Sequence, residues 1–406
     1  MSTAANISSP ASAESVIALL RELAKPLAME NVSLSEALQR VLREPALAPE
    51  DQPAFDRSAV DGFAVRLDDA RTEFQIVEEI RAGDWKPREL QLGEAVKIST
   101  GGALPGAGLQ IVMREDAEVS DERLRVTQRE PETNIRFRGD DCRAGQILVE
   151  RGTTLSHGML AVLASVGHAK PLVTRRPRAV HFATGNEIIP PEQTPQRGQI
   201  RDSNSILVRT FLEKWSAEFT QHRLPEDESA AKYQISNIKS EIETADLLLI
   251  SGGASVGEHD FTRRLLEDLG FEILVSKTTL RPGKPLIVAR RGKQIAFGLP
   301  GNPLAHFVCL NLFARTVLDS FNGATPKELF QRGVLAGKLE ADGNARETFW
   351  PAIAELKAGR MELKPLRWSS SGDLTSLAQA NALVRVVAGE MNLVAGAEVE
   401  FVATDC

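Results

Sequence analysis

Three short turns in the second half of the chain carry the side chains best suited to chemistry. Each adjoins an apolar run of strand length, and two of them open a helical pattern; the turns are Ser251–Asp260, Arg281–Pro285 and Pro300–Pro303. Buried strands that end in glycine-rich turns are typical of an open parallel sheet. Ligands of such sheets bind outside the carboxyl ends of the strands. We therefore expect the functional site where these turns meet.

The first turn, SGGASVGEHD, is suited to binding an anion. The glycines Gly252, Gly253 and Gly257 allow a close approach of the backbone. The amides of the turn, from Ser251 onward, lie at a helix start and can face negative charge. Asp260 ends the turn as a hard carboxylate ligand, or simply as the N-cap of the next helix.

The same turn also matches the nucleophile elbow of α/β-hydrolases, with Ser255 as the nucleophile. His259 and His306 are available as its base. The geometry is unfavourable, because Ser255 lies several residues beyond the apolar run and no oxyanion-hole motif precedes it. Serine hydrolysis stays an alternative.

The second turn places three cations near one strand end: Lys277, Arg281 and Lys284. The chain as a whole is acidic, with a net charge of −7. An anionic ligand must therefore be held by a local cationic cluster. Pro285 excludes a Walker A loop, which needs Ser or Thr after its lysine. A plain charged turn is the alternative.

The third turn is a candidate oxyanion loop. Pro300 and Pro303 flank Gly-Asn and would fix exposed backbone amides, or they merely stiffen a helix start. Glu187 and Asp227 each follow another predicted strand. Together with Asp260 they supply the oxygen ligands that magnesium prefers.

Composition narrows the possible functions. The 406 residues are 42% hydrophobic and 25% charged, as in ordinary globular proteins, and the acidic balance argues against a nucleic-acid-binding role. The three cysteines and six histidines show no metal spacing. No apolar run approaches the ~20 residues of a membrane span, so we expect a cytoplasmic protein.

Periodicity divides the chain into four parts. Helical patterns near Val16–Leu23 and Ser33–Leu42 precede short alternating runs of β type from about Asp51 to Asp141, and a helix capped by Ser156 follows. From Arg178 to Phe321 strands and helices alternate. From about Thr325 the pattern is β again.

Taken together, the motifs resemble the molybdopterin molybdenumtransferase family of the MoeA type, which includes the E domain of gephyrin. Seven stretches match in the family's order over nearly the whole chain: Ser58–Ala64, Ile98–Gly101, Asn134–Arg136, Thr184–Glu187, Ser251–Asp260, Arg281–Pro285 and Gly298–Pro303. Arg281 departs from the lysine, and Asn186 from the aspartate, that are common there.

The resemblance implies a multidomain α/β and β fold. A discontinuous helical and mixed domain would span 1–45 and 141–177, with a small β domain inserted at 46–140. Residues 178–324 would form a three-layer α/β domain of the molybdopterin-binding type with a mostly parallel sheet. Residues 325–406 would form a C-terminal β-barrel-like domain.

It also implies an activity: insertion of molybdate into adenylylated molybdopterin with release of AMP, assisted by Mg²⁺ held by Glu187, Asp227 and Asp260. The reacting groups would be completed by Asp61, Lys277 and Arg281. Ligand contacts would come from a larger set: Thr100, Arg136, Asp141, Ser251, Gly252, Gly253, Ser255, Gly257, Lys284, Pro300 and Pro303.

The resemblance implies partners as well. The protein would be a homodimer, with Asp61, Thr100, Arg136 and Asp141 reaching the site of the partner subunit. A molybdopterin adenylyltransferase is a possible further partner. A non-catalytic scaffold on the same fold, binding proteins through the C-terminal domain, is the other alternative.

Overall fold

The structure is a computed structural model that describes residues 10–252, 261–325 and 328–404, with only the backbone of Glu228. Three six-stranded sheets organise these residues, one in each of three successive parts of the chain. The central sheet carries helices on both faces and a C-terminal sheet closes on itself, as expected for a multidomain fold with mixed sheets.

The first part, within its described residues, contains two helices and twelve strands: α1 (Ala13–Leu23), α2 (His157–Ser165), β1 (Met29–Asn31), β2 (Ala46–Leu47), β3 (Arg57–Ser58), β4 (Gly62–Arg66), β5 (Glu73–Ile80), β6 (Glu94–Ile98), β7 (Leu109–Met113), β8 (Ala117–Ser120), β9 (Arg123–Val126), β10 (Ile135–Arg136), β11 (Ile147–Val149) and β12 (Leu172–Thr174). The inserted sheet has the order β7-β4-β6-β5-β9-β8. On either side of it in the chain, β1 pairs with β12 and β2 with β11.

The helix predicted over Ser33–Leu42 is wrong. Only the 3₁₀ turn Leu34–Glu36 forms, although the capping box between Ser33 and Glu36 is present. Val41 and Leu42 are buried and form isolated β-bridges with Thr154 and Val173. Pairing with distant strands thus satisfies this backbone in place of a helix.

The second part, outside the gap at 253–260, contains nine strands and six helices: β13 (Arg178–Thr184), β14 (Ile188–Ile189), β15 (Ile200–Arg201), α3 (Asn204–Lys214), β16 (Glu218–Leu224), α4 (Glu228–Asn237), α5 (Lys239–Thr244), β17 (Leu247–Ser251), α6 (Phe261–Asp268), β18 (Glu272–Val275), β19 (Leu280–Arg281), β20 (Ile287–Arg291), β21 (Gln294–Leu299), α7 (Pro303–Cys309) and α8 (Arg315–Asn322). A π-helical turn, Leu310–Ala314, joins α7 to α8.

The central sheet has the order β16-β13-β17-β21-β20-β18. The first four strands are parallel, whereas β20 and β18 run antiparallel to their neighbours. The prediction of a mostly parallel sheet is therefore confirmed, but the apolar run after Arg281–Pro285 is an antiparallel strand. Hydrophobicity marks it as buried without fixing its direction.

The continuous helix Pro303–Asn322 is, among the described residues, the one segment long and apolar enough to span a membrane. It is 78% buried inside the protein over its most apolar window. Val308, Leu312 and Phe313 lie in the largest hydrophobic core, together with α1 and one face of the central sheet. The burial identifies it as a core helix.

The third part, from residue 328 to residue 404, contains seven strands and one short helix: β22 (Gln331–Leu335), β23 (Leu339–Asp342), β24 (Glu347–Lys357), β25 (Arg360–Pro365), α9 (Leu374–Leu377), β26 (Ala382–Val386), β27 (Met391–Leu393) and β28 (Glu398–Ala403). Its sheet has the order β19-β24-β25-β22-β28-β26 and closes where β26 pairs with β24. The strand β19 comes from the preceding α/β part, so the two parts share a sheet.

Candidate functional site

A cleft of about 550 Å³ lies between the α/β part and the C-terminal sheet. From the α/β side it is lined by the turns predicted to meet: Glu187, Gly252, Arg281–Pro285, Pro300–Asn302 and Ala305. The opposite wall comes from the C-terminal part: Glu340, Asp342, Arg346, Trp350 and Trp368–Ser371. Its size falls within the ~300–1,000 Å³ of small-molecule sites.

Strand direction explains why the turns converge. The parallel strands β17 and β21 end together, with Ser251 opposite Leu299. Because β20 is antiparallel to β21, its first residue, Ile287, lies opposite Gly298 near the same edge. The turn before β20 is thus brought to the loops that follow β17 and β21.

Gly252 shows how closely these loops approach each other. Its φ is +90°, and a Cβ there would lie 2.5 Å from the carbonyl oxygen of Thr184. Only glycine fits this position without moving the neighbouring strand end. The glycine after β17 is therefore a packing requirement of the cleft floor.

The turn Arg281–Pro285 is held by the C-terminal part. Leu280 and Arg281 pair in parallel with Glu347 and Thr348 of β24. Arg346 donates from Nη1 to the carbonyl oxygen of Leu280 at 3.3 Å. The cationic turn is thus fixed against the C-terminal wall of the cleft, which we call the barrel wall, rather than exposed as a free loop.

A second link crosses the cleft at its other end. Asn302 donates from Nδ2 to Oγ of Ser371 at 2.7 Å, and the amide of Leu304 donates to the carbonyl oxygen of Ser371 at 3.1 Å. Pro303 is the first residue of α7 but does not line the cleft. The two links connect both ends of the cleft to the barrel wall.

Two buried histidines contact the ends of the strands that lead into the cleft. His306 donates from Nδ1 to the carbonyl oxygen of Pro300 at 3.0 Å, and burial lowers its pKa to about 4. His181, whose pKa burial lowers to about 3, lies 2.6 Å from Oγ of Ser251 through Nε2. Both rings are neutral at pH 7 and are structural groups, enclosed rather than open to a ligand.

The charged groups of the cleft differ in their contacts. Lys284 and Glu187 are exposed, and neither side chain contacts another described residue through a hydrogen bond or ion pair. Arg281 contacts Asp342 at 2.6 and 2.7 Å and packs over the ring of Trp368. The cleft therefore offers one free cation, among the parts described, beside an arginine of fixed orientation.

Two charged residues predicted for the site, Asp227 and Lys277, do not line the cleft, and neither does the buried Ser251. Asp227 accepts a hydrogen bond from the amide of Ala230 and caps α4. Lys277 lies before β19, where its carbonyl oxygen accepts from the amide of Ala11. The structure therefore gives Asp227 a helix-capping contact and places Lys277 beside the cleft rather than in it.

The predicted residues of the inserted part form their own surface cluster. Asp61 accepts two hydrogen bonds from Thr100, which lower its pKa. Arg136 is paired with Asp141, and Ile135–Arg136 forms β10, which pairs with Arg57–Ser58. We call Asp61, Thr100, Arg136 and Asp141 the inserted-domain cluster; none of them lines the cleft of its own chain.

Four predicted residues, Gly253, Ser255, Gly257 and Asp260, lie outside the described residues, as does His259. Of the histidines considered as a base for Ser255, the described one, His306, is fully buried.

Sequence reasoning missed the whole C-terminal wall of the cleft. Arg346 lies between β23 and β24, where its amide donates to Oδ1 of Asn344. Trp368 begins the run Trp-Ser-Ser-Ser-Gly before α9. The only available signal was this tryptophan beside three hydroxyl side chains after a strand, a combination of stacking surface and hydrogen-bond donors.

Fold and cleft together define a multidomain protein with a polar cleft between its α/β part and its C-terminal sheet. Three family models match the chain in order. They are described as the MoeA N-terminal region (domain I and II) over residues 11–167, the "Probable molybdopterin binding domain" over 181–320, and the MoeA C-terminal region (domain IV) over 332–403.

Relatives extend over the same range. The molybdopterin molybdenumtransferase of Staphylococcus aureus is 30% identical over 387 residues, covering 92% of this chain and 91% of its own length. That of Staphylococcus epidermidis is 28% identical over 386 residues, covering 92% of this chain and 91% of its own length. Two structures of the MoeA protein of Pyrococcus horikoshii match with TM-scores of 0.80 and 0.77, at 27% and 28% identity, covering 97% of this chain and 99% and 100% of theirs.

The chain belongs to the molybdopterin molybdenumtransferase family, in agreement with the motif resemblance. It is thereby an enzyme of molybdenum cofactor biosynthesis.

Proposed function

We propose that this protein inserts molybdate into adenylylated molybdopterin and releases AMP. The observation that carries the proposal is the cleft itself, in which the cationic turn Arg281–Pro285, the Pro300–Asn302 loop and the barrel wall meet. Its substrates carry a phosphoanhydride and an oxyanion, and the cleft offers three cations that can contact them, Arg281, Lys284 and Arg346. Three carboxylates line the same cleft, so Lys284, which pairs with none of them, is the cation most available to an anion.

Each wall has a separate task in this reaction. Lys284 neutralises phosphoanhydride oxygens, because its ammonium group is free of contacts with the described residues. Arg281 supplies a planar fork with fixed orientation beside the same turn. Donors that are already oriented stabilise charge developing on the leaving phosphate without reorganisation.

The Pro300–Asn302 loop and the serines of the barrel wall face each other across the cleft. The contact of Asn302 with Ser371 holds both in place. We assign the molybdate to this end of the cleft, where hydroxyl and amide donors suit a tetrahedral oxyanion. The family resemblance implies that Pro300 and Pro303 shape the molybdate pocket; Pro300 lines the cleft, whereas Pro303 does not.

The described residues do not by themselves fit a magnesium site. In the parts of the chain that the structure describes, no three His, Cys, Asp or Glu side chains are grouped as metal ligands. Glu187 lies in the cleft, whereas the Asp227 carboxylate caps α4. Asp260 lies outside the described residues, so the magnesium requirement stays a prediction and no step above depends on it.

We infer that the active form is a homodimer. The inserted-domain cluster consists of exposed residues that do not line the cleft of their own chain. A second copy related by a two-fold axis can present that cluster to the cleft, and the same contact then occurs twice. The family resemblance implies the same arrangement, with one site built from two chains.

The proposed substrate implies an upstream enzyme that makes it. Adenylylated molybdopterin must be made by an adenylyl transfer to the pterin phosphate, so we propose a molybdopterin adenylyltransferase as the upstream partner. We propose a cytoplasmic location, which agrees with the buried position of the Pro303–Asn322 helix.

The proposal is tested by adding purified protein to adenylylated molybdopterin and molybdate and measuring AMP. We expect AMP release that depends on molybdate and is lost in Lys284→Ala. A scaffold without activity would release none. A serine hydrolase would react with a fluorophosphonate probe and lose its activity in Ser255→Ala.

A further inference from the structure

The C-terminal wall of the cleft carries two carboxylates, Glu340 and Asp342, although the proposed ligand is an anion, and one of them, Asp342, contacts Arg281. Asp342 comes from the end of β23 in the C-terminal part, and the side chain is 57% exposed. A negative charge beside Lys284 and Arg346 weakens the field that an anionic ligand experiences. Its presence there therefore requires a physical reason.

The contacts of Asp342 supply that reason. Both of its carboxylate oxygens accept from Nη1 of Arg281, at 2.7 and 2.6 Å, and the bond lowers the pKa of Asp342. Cζ of Arg281 lies 5.4 Å from the centre of the Trp368 ring. The guanidinium is thus held by a carboxylate at one nitrogen and by an indole.

The indole is itself fixed. Trp350 meets Trp368 edge to face, with ring centres 5.7 Å apart, and donates from Nε1 to the carbonyl oxygen of Leu366 at 2.7 Å. The backbone of Arg281 is fixed as well, by its pairing with Thr348. Backbone, guanidinium and stacking surface are therefore all set by the C-terminal part.

Nε and Nη2 of Arg281 make no hydrogen bond with any other residue that the structure describes. Because Asp342 uses only Nη1, the remaining edge of the fork is left for a ligand in the cleft. Lysine, which is common at this position in the family, has a single ammonium group and cannot divide its donors in this planar way.

We propose that Asp342 is a positioning residue, which orients the Arg281 fork so that Nε and Nη2 face the phosphate group of the substrate. The proposal rests on the proposed function for the identity of the substrate. The chemistry of the contact requires only a phosphate-bearing ligand, for which AMP is the available probe.

The alternative is that Asp342 is a competing anion, which the ligand displaces from Arg281. The two accounts predict opposite signs. Removal of a competing anion tightens AMP binding, whereas removal of a positioning group weakens it in spite of the lost negative charge.

The test compares Asp342→Ala with Asp342→Asn in the full chain, with AMP affinity measured by calorimetry. The asparagine variant keeps an oxygen that accepts from Nη1, whereas the alanine variant keeps none. We expect AMP binding to weaken about fivefold in Asp342→Ala and to stay within about twofold of the native protein in Asp342→Asn. Glu340→Gln removes a charge from the same wall without touching Arg281 and measures the electrostatic share alone.

Turnover provides the second readout. We expect Asp342→Ala to lower the kcat of AMP release about tenfold, with recovery in Asp342→Asn. Tighter AMP binding in both variants, an equal loss in both, or no change in Asp342→Ala would overturn the positioning role. If the native protein released no AMP, the proposed function would fail, and the affinities would still decide the role of Asp342.

Discussion

The cleft and the inserted-domain cluster both carry cationic and carboxylate side chains, but these side chains differ in whether they already have partners within the chain. In the cleft, Lys284 and Glu187 have no partner among the described residues. In the inserted-domain cluster, Asp61 is bonded to Thr100, and Arg136 is paired with Asp141. The cleft thus keeps two charged groups available beside the paired Arg281, whereas the cluster already satisfies its own charged groups.

The difference indicates which region receives the ligand. Charged groups left without partners in a concave site gain the most from an incoming ligand of opposite charge. Groups already paired on an exposed surface are rigid but have less left to gain from a ligand. The cleft is therefore the region better suited to bind the substrate, and in the proposed dimer the cluster would complete the site of the other copy.

The largest expected effect is at the free cation of the cleft. Lys284→Ala should lower kcat/KM for AMP release by at least about 100-fold, because no other described side chain duplicates this ammonium group. Lys293→Ala is the matched control, since Lys293 is an exposed lysine in a turn of the same sheet. A similar loss in both variants would show that the cleft has no special role.

A mixed dimer sharpens the comparison directly. Asp61→Ala and Lys284→Ala should each be inactive alone, because each damages both sites of its own dimer. The two variants are co-expressed with different tags, and the mixed dimer is purified by selecting for both tags. It should recover about half of the native activity, since one of its two sites is intact. No recovery in the mixed dimer would exclude a site shared in this way.

Stability should depend on a largely buried arginine of the C-terminal sheet. Arg385 is largely buried and bonded to Glu347, to Glu400 at 2.8 Å and to Glu14 of α1 at 2.7 Å. Arg385→Met leaves Glu347 buried without its partner and should cost about 3 kcal/mol in unfolding free energy. Lys357→Met removes an exposed pair with Glu355 and should change the unfolding free energy far less. Denaturant titrations of both variants measure the difference.

The smallest expected effect is at Lys277, which is cationic but outside the cleft lining. Lys277→Ala should weaken AMP binding by about threefold or less, and the effect should shrink as salt screens it. Calorimetry at two ionic strengths measures this. A loss of AMP affinity as large as that in Lys284→Ala would show that Lys277 belongs to the binding site.

The sequence predicted the middle of the central sheet well because its inner strands β17 and β21 are apolar and almost fully buried. The helix that opens at the Pro300–Pro303 turn and the helix capped by Ser156 are also confirmed. The direction of β20 could not be predicted, since burial is equal for parallel and antiparallel neighbours. The prediction of a helix at Ser33–Leu42 was wrong because Val41 and Leu42 pair with distant residues instead.

The candidate site was only half visible in the sequence. The turns around Gly252, Lys284 and Pro300 adjoin apolar runs, so their meeting could be inferred from strand ends. The barrel wall could not, because Arg346, Trp368 and Ser371 reach the cleft through a closed sheet whose strand order no motif reveals. The domain boundaries and the roles of the individual residues stay predictions.

The central claim is that the oxyanion and the pterin nucleotide bind in the cleft between the α/β part and the barrel. The most direct test is a crystal structure of the protein soaked with molybdate and AMP, with anomalous diffraction recorded at the molybdenum edge. We predict a molybdenum peak between Pro300–Asn302 and Ser369–Ser371, with the AMP phosphate beside Lys284. Ordered molybdenum and AMP at a different surface, with the cleft free of both, would contradict the claim.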